Sequence, residues 1–94
     1  MSVCYRNPEF AGDLADSLNA IAEIDLDEHR FDKARAKILQ AIEWRRKVLA
    51  AHPGDNGARQ RLGDGLTLLI QVARELGHID EAREATRERD ALRD

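Results

Sequence analysis

An all-α fold is expected from this sequence, and three observations lead there. Apolar residues make up 43% of the 94-residue chain while aromatics are only 4%. Alanine is the commonest apolar type, so burial has to come from close helix-helix approach rather than from large side chains. Apolar positions recur at steps of three and four, the spacing that stacks side chains on one helix face. Proline and glycine gather where the periodic runs stop. A chain of this length forms one domain and buries only about 60–65% of its unfolded surface, so its core is thin.

The first helix is expected over about Pro8 to Glu28, from Phe10, Leu14, Leu18, Ile21 and then Ile24 or Asp25. Phe31, Ala34, Ile38, Ala41, Ile42, Val48 and Leu49 carry the second, which ends at His52-Pro53-Gly54-Asp55 after about 20 residues, or about 30 Å. In the third, Leu62, Leu66, Leu69, Ile70, Ala73 and Leu76 form one stripe with Leu68 and Val72 on another side, so this helix should be touched on two faces. Gly77 suits the left-handed position past a helix end. The chain restarts at Ile79 or Asp80, and the last helix offers Ile79, Ala82, Ala85 and Leu92 for burial beneath interleaved Glu and Arg. It reads as a polar cap, or as an element waiting for a next repeat.

Residues 10–46 lie over 58–94 without a gap, at an offset of 48 positions. Leu14 then meets Leu62, Asp16 meets Asp64, Leu18 meets Leu66, Asp32 meets Asp80, Ala34 meets Ala82, Arg35 meets Arg83 and Arg45 meets Arg93. These identities fall on apolar, small and a few charged positions, as a repeated helical hairpin requires. The expected architecture is four antiparallel helices in a single domain, residues 1–94, arranged as two stacked helix-turn-helix hairpins at about 8–52 and about 56–93.

Leu18, Ile21-Ala22, Phe31 and Ala34 in the first unit, and Leu66, Leu69, Gly77, Ile79 and Ala82 in the second, resemble the tetratricopeptide repeat over most of residues 10–90. Ala34 and Ala82 occupy the place where two helix backbones approach most closely. An offset of 48 against the usual 34 implies about two extra turns on each of two helices, which resembles the long repeats of kinesin light chains. The run AIEWRRKVLAAHPGDNGARQRLGDGL is similar to long repeats carried by multidomain bacterial signalling proteins, some with serine/threonine kinase domains; no kinase motif accompanies it. Asp25 stands where the family has an apolar residue and Ile70 where it has a small one. The resemblance implies a non-catalytic scaffold for protein-protein interaction. The family's lysine-asparagine clamp for a C-terminal carboxylate is not matched, because its positions hold Asn19, Glu23, Thr67 and Gln71.

Fifteen basic and 18 acidic residues give a formal charge of −3 with both signs interspersed. That pattern argues against a nucleic-acid or anionic-membrane surface. Cys4 has no second cysteine for a disulfide or a thiolate zinc site, which fits a reducing cytoplasm. MSVCYRNPEF lacks the apolar core of a signal peptide, and no run reaches the roughly 18 apolar residues of a membrane span.

The stretch EIDLDEHRFD places Asp25, Glu28 and His29 at ligand-like helical spacing. A carboxylate-histidine metal protein is therefore one alternative, but the stretch stands where a helix C-terminus disfavours carboxylates, and facing-helix ligands are lacking, so the primary reading is a solvated elbow. Ser2 and Ser17 have no nucleophile context, and Gly63-Asp64-Gly65 has no preceding strand or following Lys-Ser/Thr. No catalytic residue, cofactor or metal is assigned. The candidate partner-binding residues are Asn19, Glu23, Thr67 and Gln71 on first-helix faces, with Trp44 and Arg45 as an aromatic-basic contact for an acidic peptide. A second reading is a self-associating structural segment, a possible homodimer whose open repeat ends are covered by another copy.

Overall fold

The computed structural model describes residues 8–92, with side chains from Asp16 onward. It is all-α: α1 (Pro8–Asp27), α2 (Phe31–Ala51), α3 (Asn56–Leu76) and α4 (Ile79–Ala91). Cys4, the side chains of Phe10 and Leu14, and Arg93 lie outside the described residues. Among the described residues no helix is long and apolar enough to cross a membrane.

Each helix packs on the next in chain order. Cross-contacts fix their directions: Asp25 meets Lys37 while Asp16 meets Arg45, so α1 and α2 run antiparallel. Arg35 and Arg46 of α2 reach Glu81 and Glu88 of α4, so those two helices run parallel. The result is a slab of 36 × 34 × 17 Å.

The core is built from small and branched residues, as the composition requires. Ile38, Ile42, Leu66 and Val72 are its largest fully buried side chains, beside Ala22, Ala34 and Ala41. Alanines let the backbones come close, and dispersion between them replaces the bulk that aromatics would supply. α3 is buried along two faces, against α2 and α4, as its two apolar stripes predict. Gly65 sits at the tightest point: a Cβ there would lie 3.2 Å from Ile42 Cγ1 and 3.6 Å from Arg45 Nη1. A side chain there would require Ile42 to give by a few tenths of an ångström.

Both elbows between paired helices use one device. After α1, Arg30 N–H donates to Asp25 O at 2.7 Å and His29 N–H to Leu26 O at 3.0 Å. After α3, His78 N–H donates to Ala73 O at 2.8 Å and Gly77 N–H to Arg74 O at 3.1 Å. This is the Schellman pattern, which needs a left-handed residue just past the helix. His29 (φ 61°) fills that place in the first elbow and Gly77 (φ 77°) in the second, 48 positions apart. The starts of α1 and α3, and of α2 and α4, differ by the same 48. Elsewhere the Asp55 side chain caps α3 by accepting from Gly57 N–H and Ala58 N–H, which ends the Pro53-Gly54 turn.

The structure decides between Ile24 and Asp25, corrects the expected burial of Ile21 and Ile79, and departs from the helical spacing behind the metal alternative. Of the Ile24 or Asp25 alternatives, Asp25 is the buried one at 5% exposure, with Ile24 and its neighbour Ile21 outside at 57% and 45%. Ile79, expected in the core, is 51% exposed. The metal-like spacing of Asp25, Glu28 and His29 does not form, since α1 stops at Asp27 and His29 turns left-handed. Among the described residues no three His, Cys, Asp or Glu side chains gather to hold a metal ion.

Asp25 is inside because it has a partner: Lys37 Nζ donates to Asp25 Oδ2 at 2.6 Å. At the same offset the second half holds Ala73 and Ala85, both buried. An ion pair in one helix crossing thus stands where two alanines stand in the other. Glu81 takes both Arg35 Nε and Nη2, at 2.8 and 2.6 Å, and that hydrogen bonding holds its carboxyl below the ordinary value. Arg46 binds Glu88 in the same two-pronged way.

Two outcomes are expected in urea unfolding. His29→Gly stabilises by about 0.5–1 kcal/mol by relieving the left-handed backbone, and Gly77→Ala destabilises by about 1–2 kcal/mol at the matching place. Lys37→Ala leaves the Asp25 carboxylate buried and unpaired and costs about 2–4 kcal/mol, whereas Asp25→Ala with Lys37→Ala returns most of that loss, because replacing both charges removes the desolvation problem.

Candidate functional site

Between α1 and α3 runs a groove of about 530 Å³. α1 supplies Asp16, Asn19, Ala20 and Glu23, α3 supplies Arg61, Asp64, Thr67 and Leu68, and Arg45 of α2 closes the floor. The two walls match at the 48-residue offset: Asp16 with Asp64, Asn19 with Thr67, Ala20 with Leu68. Helical spacing explains the set, since positions 16, 19, 20 and 23 share one side of α1, away from Ala22 and Asp25, which are buried.

Arg45 organises the floor. It is 6% exposed. Its Nη2 donates to Asp16 Oδ1 at 2.6 Å and its Nη1 to Arg61 O at 2.7 Å. With the Asn19 amide turned so that its oxygen faces the guanidinium, that oxygen accepts from Nη1 at 2.7 Å and Nη2 at 3.2 Å; the opposite turn would set NH groups against each other. One side chain therefore ties α1, α2 and α3 together. The planar five-donor fork of arginine suits this task, and Gly65 leaves the space above α3 in which it lies.

The groove brings together Asn19, Glu23, Arg45 and Thr67 from the sequence-derived set. It does not include Trp44 or Gln71. Trp44 is half-buried on the flank of α2, with Lys47 Nζ 4.9 Å from its ring centroid. Its expected companion Arg45 turns inward, and Lys37 is committed to Asp25, so the aromatic-basic contact of residues 44 and 45 splits across two faces. Gln71 is exposed one turn beyond Thr67. The Thr67 hydroxyl donates to Gly63 O at 3.0 Å and accepts from Arg89 Nη1 at 3.4 Å, which places it on the ridge toward a second depression of about 330 Å³ between α3 and α4.

Asp16, Arg61 and Asp64 were not among the sequence-derived binding residues. A signal existed for two of them: Asp16/Asp64 is among the seven identities across the offset, four of which are charged. Arg61 carried no such signal, because its contribution to Arg45 is a backbone carbonyl.

Chemically the site is a polar trough with fixed walls. Its floor charge is answered internally by Asp16, leaving Glu23 and Asp64 as rim carboxylates and Arg61 as a rim cation. Ala20 and half-buried Leu68 give it a small apolar foot. No protein-family model, curated protein or solved structure matches the chain.

Arg45→Ala is expected to lower unfolding free energy by about 1–3 kcal/mol, since buried Asn19 and the Arg61 carbonyl lose their donor; Arg45→Lys restores only part. Chemical denaturation measures this, and an Arg45→Ala protein as stable as the native chain would show that the residue is not a structural tie.

Proposed function

We propose that this protein is a non-catalytic interaction scaffold of two tetratricopeptide-like units, acting in the cytoplasm, whose α1–α3 groove receives a segment of another protein. The observation that carries the reading is that matched polar positions, Asp16 with Asp64 and Asn19 with Thr67, line one groove together with a buried arginine. Helix starts and left-handed turn residues at the same spacing support a repeated unit. Side chains tied down before any ligand arrives lower the ordering cost of binding.

The rim decides the partner's chemistry. Glu23 and Asp64 outnumber the rim cation Arg61 and favour a basic side chain, Ala20 and Leu68 a small apolar one, and Asn19 and Thr67 offer hydrogen bonds to an extended or helical backbone. α1 has no lysine or arginine from Pro8 to Asp27, which disfavours the acidic peptide expected from Trp44 and Arg45. A signalling protein carrying such repeats would use the groove to dock a client or a neighbouring domain.

Selection of random displayed peptides on the immobilised chain tests the reading. Enriched peptides should carry Lys or Arg near a small apolar residue, and their affinity should fall at least about tenfold for Glu23→Lys with Asp64→Lys while Trp44→Ala leaves it unchanged. Failure to enrich any peptide sensitive to that double substitution would sink the assignment of this groove.

A further inference from the structure

Among the described residues the exposed large hydrophobics are Ile21, Ile24 and Ile79, and they mark opposite ends of the helix row. Ser17, Ile21 and Ile24 of α1, with Glu28 just past its end, form an exposed strip at four- and three-residue steps, separate from both the groove side and the buried side. Their counterparts 48 positions on are Gly65, Leu69, Val72 and Leu76. There the strip is buried or half-buried, with Gly65 against Ile42 of α2. The same small-apolar-apolar pattern is covered in α3 and bare in α1.

The far end answers it in charge. Arg74, Ile79, Ala82, Arg83, Thr86 and Arg87 line a shallow groove of about 430 Å³ on the outer side of α3 and α4. Thr86 and Arg87 hold the places that Ile38 and Leu39 hold in α2, and Arg74 holds that of Leu26. The lining of this groove is cationic with an apolar centre, while Asp80, Glu84 and Asp90 stand exposed elsewhere on α4. The α1 strip is apolar with Asp27 and Glu28 at its margin, Glu28 lying 3.4 Å from Arg30 just past the helix, and no basic residue on the helix itself.

We propose that these two ends join copies of the chain head to tail, α1 of one copy lying on the α3–α4 end of the next as α3 lies on α2 within one chain. The inference rests on the same 48-residue register as the proposed function but uses neither wall of the α1–α3 groove. A two-fold pairing of α1 with α1 is disfavoured because it sets acidic margin against acidic margin, whereas the head-to-tail contact sets carboxylates against arginines.

Sedimentation velocity on the full chain tests it. The native protein should grow in mass with concentration at about 0.05 M salt, with association weakened at least about tenfold at about 0.5 M. Ile24→Asp and Arg83→Glu with Arg87→Glu alter opposite ends at exposed positions; both should keep native helicity by circular dichroism and remain monomeric. Mixed in equal amounts, they should form a two-chain complex and nothing larger, because each retains one intact end. A native chain monomeric at every concentration, an arginine variant that self-associates like the native chain, or a mixture that stays monomeric would each overturn the proposal. Peptide binding in the groove, measured on the same two variants, separates failure here from failure of the scaffold reading.

Discussion

The approach of α2 to α3 at Gly65 governs this molecule. Without a side chain there, Ile42 packs onto the α3 backbone and the Arg45 guanidinium reaches the Arg61 carbonyl. The arginine then has to be answered from α1, and Asp16 and Asn19 do so. Burial of a cation is costly unless its donors are used, so the Arg45 bonds add a polar tie to the packing that already joins α1 to α2.

From that tie the groove takes its shape. Arg45 is held from three sides, its neighbours 16 and 19 are fixed on α1, and residue 64 lies opposite on α3. The floor is a spent charge, so selectivity passes to the rim carboxylates. α4 adds rigidity from outside through two bidentate arginine-glutamate pairs, Arg35–Glu81 and Arg46–Glu88, each spanning from α2. Partly exposed pairs of this kind contribute modestly to stability but fix the orientation of the helices they join.

The two halves solve the same crossing by different chemistry. Ala73 and Ala85 close the second by contact alone; Asp25 and Lys37 close the first with an ion pair. The elbows differ likewise, with Gly77 at ease in the left-handed position and His29 strained in it. In both contrasts the first half carries the less economical choice.

Helix periodicity and the proline-glycine break were readable in the residues, since each is a local signal that survives without knowledge of neighbours. So was the shared side of Asn19 and Glu23 on α1, because helical spacing alone puts them there; Thr67 joins them only through the placement of α3 beside α1. The choice between Ile24 and Asp25 was not readable: adjacent positions lie about 100° apart on a helix, and only the arrival of Lys37 from α2 makes the carboxylate the better buried group. The parting of Arg45 from Trp44 is of the same kind, set by a carbonyl and a carboxylate on two other helices. Local spacing fixes which residues share a face; packing between helices fixes which charge is worth burying.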